Sequence, residues 1–157
     1  MIVLSIVGNS NSGKTTLITR IVPILKQRGF RVAVVKHTRD FEVDREGKDS
    51  WKIWQSGADV AIASNEKTAL IMRGSKSLDE ICRFFEGYDI VLTEGFSSAG
   101  KDRIVVLDES SKPEDFANGR IIAVVADRDV PGYRTFRRDD VDGIAELIVD
   151  ILKGKNF

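Results

Sequence analysis

At 157 residues, with 24 basic against 24 acidic side chains and 42% apolar content, the chain has the length of one domain, 1–157, and the composition of a folded protein. The balanced charge argues against a nucleic-acid binder, which carries a basic excess. Cys82 stands alone, which excludes an intrachain disulfide and suits a reducing cytoplasm, and the apolar start from Met1 to Val7 is too short to span a membrane and lacks the basic flank of a signal peptide.

Ile2 to Val7 is an apolar run ending at Gly8 and predicts a buried strand. A Gly/Ser/Asn loop follows, then a helix from about Lys14 to Arg28 with Leu17, Ile18, Ile21, Val22 and Leu25 at helical spacing. Pro23 predicts a kink inside it, and Gly29 its end. Val32 to Lys36 predicts a second strand, so the first elements form a βαβ unit with parallel strands and a right-handed crossover. His37 to Asp49 reads as a polar loop on the ligand side, and Ser50 to Ser56 as a short helix carrying Trp51 and Trp54, which pack in the core by default or at a dimer seam. Val60 to Ala63 and Thr68 to Met72 flank Asn65-Glu66 as an antiparallel hairpin. Leu78 to Phe85 predicts a helix, and Asp89 to Thr93, Arg103 to Leu107 and Ile121 to Val125 predict strands. An amphipathic helix from Val141 to Leu152 closes the series. The alternation implies a three-layer α/β fold with a mostly parallel sheet and an antiparallel hairpin.

Gly8-Asn9-Ser10-Asn11-Ser12-Gly13-Lys14-Thr15 matches the phosphate-binding pattern G-x-x-x-x-G-K-[ST] in full. Glycines let the backbone turn so that successive N–H groups face one anion, and the following helix aims its positive end at the same point. Lys14 reaches the β- and γ-phosphates, Thr15 offers its hydroxyl to Mg2+, and Thr16 contacts the α-phosphate. The apolar strand before the motif and the helix after it supply the context of a P-loop nucleoside-triphosphate fold. Tyr88-Asp89-Ile90-Val91-Leu92-Thr93-Glu94-Gly95 is an apolar strand flanked by acids. Glu94, at its carboxyl end where open α/β sheets bind ligands, is preferred over Asp89 for Mg2+.

Other segments are more discriminating. Lys36-His37-Thr38 ends the second strand; Phe41, Val43 and Asp44 follow, then Gly47-Lys48-Asp49-Ser50-Trp51 and Ser56-Gly57-Ala58. Glu94-Gly95-Phe96 later precedes the basic-apolar strand Lys101 to Val106. In this order behind a P-loop, over roughly residues 1–127, the set resembles the molybdopterin-guanine dinucleotide biosynthesis adapter family (MobB). The resemblance implies a homodimeric, weakly hydrolytic GTP-binding partner of the molybdopterin guanylyltransferase, in contact with molybdopterin or its guanine dinucleotide. Two departures stand out. Thr38 and Arg39 occupy positions where several members carry further histidines, and Ser97 stands where many carry a lysine. With a single histidine, a metal site built from histidines is not expected.

Single residues read two ways. Asp49 orients Mg2+ or a water near the γ-phosphate, or supports the start of the helix at Ser50; Asp44 is a weaker acid of the same kind. Lys36 and His37 add to the phosphate side or are solvated. Asp127, after the strand Ile121 to Val125, accepts the two N–H donors of guanine, or is a loop carboxylate. The usual Asn-Lys-x-Asp base reader is absent, as the chain reads Ala126-Asp127-Arg128-Asp129. Arg134, Arg137 and Arg138 form a basic run that faces an anionic pterin or the partner enzyme, or is a solvated face; with Arg128 they are also the candidate lid of a small-molecule kinase, the alternative to a GTP-binding adapter. Cys82 reads as an inert buried thiol. No hydrolytic base or arginine finger stands out, so slow turnover is expected.

Overall fold

Successive side chains of Ile2–Val7 (β1) face opposite sides of a sheet, and both sides are covered, so the strand is apolar almost throughout. The computed structural model describes residues 1–42 and 44–154. Val43, one of the residues carrying the family resemblance, lies outside the described residues. Those residues fall into two compact units, Thr38–Ser77 and the remainder of the chain.

The larger unit holds a six-stranded sheet. Its strands are β1, Val32–Lys36 (β2), Ile90–Glu94 (β5), Arg103–Val106 (β6), Ile121–Val125 (β7) and Thr135–Phe136 (β8). Their order is β2-β5-β1-β6-β7-β8, and every pair is parallel. The sheet is therefore wholly parallel where the sequence predicted mostly so. The short β8 escaped prediction, because two residues carry no period.

On one face, Leu4, Ile6, Ile90, Leu92, Ile104 and Val106 pack against Lys14–Gln27 (α1) and Val141–Leu152 (α4). On the other, Ala33, Val35 and Val91 meet Leu78–Cys82 (α3), while Val7, Val105 and Val124 meet Phe116, Val130 and Tyr133. Helix, sheet and helix thus make the expected three layers. Cys82 is buried in the second of these clusters, and burial pushes its thiol pKa up, as an inert thiol requires.

α1 runs through Pro23 as one element. It ends in a Schellman motif: the Gly29 N–H donates to the Lys26 carbonyl at 3.0 Å and the Phe30 N–H to the Leu25 carbonyl at 3.1 Å. Gly29 has φ 88°, the left-handed state this motif demands. The helix predicted over Leu78 to Phe85 is α-helical only to Cys82 and tightens into a 3-10 turn at Arg83–Phe85. Asp140 caps α4 by accepting the Gly143 N–H at 3.0 Å.

In the smaller unit, Asp49–Gln55 (α2) precedes Val60–Ala63 (β3) and Thr68–Ile71 (β4), which pair antiparallel as a separate two-stranded sheet. The Ser64 hydroxyl accepts the Glu66 and Lys67 N–H groups at 3.2 Å each and so shapes the turn. α2 has no buried residue, so Trp51 and Trp54, expected in a core, are only half-buried. Arg73 lies over the Trp54 ring at 4.0 Å from its centroid, and its guanidinium also donates to the Trp54 and Gly57 carbonyls. A short helix beside two strands has no opposing layer within its own unit to enclose an indole.

Candidate nucleotide-binding site

β1 ends where the loop Gly8 to Gly13 turns into α1. A Cβ on Gly8 would meet the Val106 carbonyl and lie 2.7 Å from the Ser12 hydroxyl, so only glycine fits there. Asn11 at φ 61° and Gly13 at φ 97° place two loop residues in the left-handed region, which curls the backbone around a concavity. Gly13 is the N-cap of α1 and no side chain caps the helix. The first N–H groups of the helix, which have no intrahelical acceptor, therefore remain available for an anion. The resulting cavity, about 390 Å³, is lined by Ser10, Asn11, Gly13, Lys14, Thr15, Thr16, Lys36 and Glu94.

Charge is concentrated at its floor. Register places Glu94 beside Ile6 on one side and Lys36 on the other. The Lys36 ammonium donates to Glu94 Oε1 at 3.0 Å and the Thr15 hydroxyl to Oε2 at 2.8 Å. Burial raises the Glu94 pKa, but these two hydrogen bonds and the Lys36 and Lys14 charges outweigh it, and the net shift is downward. Glu94 is thus an anion whose oxygen already lies beside the Thr15 hydroxyl. The Lys14 ammonium donates to the Asn9 carbonyl at 2.5 Å, and burial lowers its pKa against the opposing pull of Glu94. An arriving phosphate would restore the charge partner that burial withholds.

Residues outside the motif brace the loop. The Asn9 side-chain amide donates to Asp108 at 2.9 Å, and Asp108 also accepts from Ser110 and Ser111. These bonds hold its pKa far below the usual carboxylate range. Arg138 donates to the Ser12 and Leu107 carbonyls and pairs with Asp127 at 2.8 Å. Sequence reasoning placed Arg138 in a basic run and missed this brace, since residues 12 and 138 become neighbours only through the parallel sheet. Asp127 is accordingly engaged by Arg138 while its side chain stays 73% exposed. Asp49 belongs to the smaller unit, in the first turn of α2, with Lys52 at 3.7 Å.

Two of the discriminating segments converge. The His37 N–H donates to the Glu94 carbonyl at 2.9 Å, and the His37 ring lies 4.9 Å from that of Phe96. Gly95 and Phe96 both have positive φ, at 87° and 52°. A left-handed aromatic residue is uncommon, and this one is held by its contact with His37. Below this turn lies Arg103, fully buried at the start of β6 and bonded to the carbonyls of Ser97, Lys101, Phe116 and Asn118. The sequence showed only a basic residue opening an apolar strand.

The four arginines considered as a kinase lid are all occupied. Arg128 donates to the Asp108 and Ser111 carbonyls, Arg134 lies over Phe136, Arg137 pairs with Asp129, and Arg138 braces the loop.

The family model for molybdopterin guanine dinucleotide synthesis protein B, MobB, matches residues 3–127. The chain belongs to the MobB family. Its similarity to the molybdopterin-guanine dinucleotide biosynthesis adapter protein of Haemophilus influenzae is 36% identity over 151 residues, 92% of this chain and 84% of the relative. The Escherichia coli adapter protein is 30% identical over 160 residues, covering 94% and 91%. Among solved structures, a molybdopterin-guanine biosynthesis protein B superposes with a TM-score of 0.86 at 55% identity, covering 97% of this chain and 99% of that one. Bacillus subtilis MobB does so with a TM-score of 0.80 at 25% identity, covering 98% and 99%. The MobB resemblance read from Gly47–Trp51 and Glu94–Phe96 is thereby confirmed.

Proposed function

We propose that this MobB-family chain is a GTP-binding adapter in molybdopterin-guanine dinucleotide biosynthesis that assists the guanylyltransferase. The observation that carries the nucleotide reading is the cradle itself: an uncapped helix N-terminus, Lys14, and the Thr15 hydroxyl 2.8 Å from Glu94 Oε2, all lining one cavity. Gly8, Asn9, Ser10, Asn11, Ser12, Gly13, Lys14, Thr15 and Thr16 hold the triphosphate in this reading. Ser12 adds a buried hydroxyl without a hydrogen-bond partner, a polar group that a phosphate oxygen would satisfy.

Mg2+ fits the same floor. Its preference for hard oxygen ligands, with one or two protein groups completed by phosphate and water, matches Thr15 and Glu94. Among the described residues no group of three or more His, Cys, Asp or Glu forms an all-protein cage. When bound, the ion would neutralise charge between the β- and γ-phosphates. The protein's own part is to hold Glu94 ionised through Lys36 and Thr15, and to fix the loop through Asn9 and Arg138. Asp49 remains a candidate second acid.

Guanine selection at Asp127 requires the carboxylate to share or exchange its Arg138 partner. Slow hydrolysis is the expected turnover while no residue is assigned as hydrolytic base or arginine finger. The occupied arginines favour an adapter over the kinase alternative. Homodimer formation is supported by the smaller unit. It consists of a two-stranded sheet and a short helix, and exposes Phe41, Ile53, Ile62 and Leu70; such a sheet is marginal unless something covers it. No helix among the described residues is long and apolar enough to cross a membrane, and a cytoplasmic place suits the proposed partner.

Calorimetry of GTP against ATP, with and without Mg2+, tests the nucleotide reading, and co-purification with the guanylyltransferase tests the adapter role. Equal affinity for both nucleotides would remove the guanine assignment. Absence of both binding and complex would overturn the proposal.

A further inference from the structure

The smaller unit contains a cavity of about 400 Å³ that the nucleotide reading leaves unused. That size is within the range of small-molecule sites, about 300–1,000 Å³. Its wall chemistry is one-sided. Phe41, Trp51 and Trp54 supply aromatic surface, Glu42, Asp44 and Glu46 supply carboxylates, and among the described residues no lysine or arginine lines it. None of these carboxylates makes an ion pair among the described residues. Asp44 Oδ1 accepts the Arg45 N–H at 2.8 Å, whereas Oδ2 is buried and has no hydrogen-bond partner. The basic residue on the adjoining strand end, Arg73, is already committed to the Trp54 ring and to the Trp54 and Gly57 carbonyls.

Such a cavity offers acceptors and π-faces; its side-chain donors are the neutral Gln55 amide and the two indole N–H groups, and its negative charge repels a phosphate. Its complement is a flat group with N–H donors side by side along one edge. The 2-amino-4-oxopyrimidine ring has this form: a ring N–H beside an exocyclic NH2, in the plane of an aromatic system. Pterins and guanine share it. We propose that this cavity binds the 2-amino-4-oxopyrimidine edge of a pterin or guanine, with Asp44 accepting the paired N–H groups and Trp51 and Trp54 flanking the ring plane. The choice of heterocycle rests on the biosynthetic role proposed above; the cavity's acceptor-rich, aromatic character does not.

The chain has two tryptophans, and both line this cavity, so their two indole N–H signals in a 15N–1H spectrum of the full chain report on it directly. The probes are 6-hydroxymethylpterin, guanosine, the pteridine-2,4-dione lumazine, which lacks the amino donor, and arginine amide. None carries a phosphate, so the cradle at Gly8 to Thr16 is not engaged. Saturable shifts of both indole signals with the pterin or with guanosine are expected, and whichever binds more tightly identifies the source. Lumazine should bind about tenfold or more weakly, the loss of one charge-assisted hydrogen bond. Asp44→Asn should weaken the preferred probe by a similar factor, and Trp51→Leu provides a second variant that leaves the carboxylate in place. GTP calorimetry on the same samples should be unchanged by either. Indole signals that ignore both heterocycles, that respond equally to lumazine, or that respond only to arginine amide would overturn the proposal. Loss of GTP binding in the parent chain would instead count against the cradle reading alone.

Discussion

The loop Gly8 to Thr16 and the unit Thr38–Ser77 hold the two proposed ligand sites, and they are built in opposite ways. The cradle is backbone held over a wall of packed strands: β1, β5 and β6 beneath it are almost fully buried, and Arg138 and Asp108 hold its edges. The smaller unit is side chains on a thin support, with no buried residue in α2 and Val60 as its one deeply buried apolar residue among those described. Rigidity in the first case comes from burial on both sheet faces. In the second it comes from side-chain hydrogen bonds around Ser64 and from Arg73 on Trp54. A site made of backbone N–H groups tolerates almost no displacement, whereas an aromatic pocket can adjust.

The sharpest break of this comparison is mechanical. Ile144, fully buried between α4 and the sheet, should cost about 2–5 kcal/mol when changed to Ala. Leu70→Ser in the smaller unit, 54% exposed, should stay within about 0.5 kcal/mol. Denaturant unfolding of the two variants reads the difference, and similar costs would mean that the smaller unit has a core of its own.

Arg103→Leu comes next. It removes a fully buried guanidinium and the donor shared by four carbonyls, so a loss of about 3 kcal/mol is expected. The same variant should loosen the Gly95–Phe96 turn, measurable as faster amide exchange there. Unchanged stability would show that water can replace the guanidinium.

Lys14→Ala separates binding from folding. One charge-assisted contact is worth about 1.5–3 kcal/mol, so nucleotide affinity should fall about 10- to 100-fold in calorimetry. Burial depresses the Lys14 pKa, so the folded state gains nothing from that charge, and the melting temperature should hold or rise slightly. Full GTP affinity in this variant would refute the site.

The smallest effect concerns pH. The Glu94 pKa lies below its ordinary value of 4.5 in the folded chain. A carboxylate with a depressed folded pKa contributes stability that is full above the unfolded value and lost as pH falls through the folded one. Glu94→Gln should therefore flatten the acid limb of the stability curve below about pH 4.5 and leave its shape near neutrality alone. Parallel acid limbs for parent and variant would show that the Lys36 and Thr15 bonds do not favour the ionised form.

Much of this molecule is local enough to read from the chain. A strand buried on both faces must be continuously apolar, and a phosphate loop needs glycine at fixed offsets. Ile2–Val7, Gly8–Thr15 and the βαβ unit that follows were therefore legible, as was Glu94 at a strand's carboxyl end. Hairpin β3-β4 was legible from its turn residues. What escaped depends on residues distant in sequence. Arg138 reaches Ser12, Arg103 reaches four carbonyls on two connections, and β8 exists because β7 offers an edge. Trp51 and Trp54 were assigned to a core because indole is large and apolar, but a two-stranded sheet has no second layer to cover them. Local periodicity and turn chemistry determine the elements and the phosphate cradle. Only the tertiary structure decides which charges meet across the sheet ends, because those contacts depend on strand order, and strand order is set by packing rather than by any single segment.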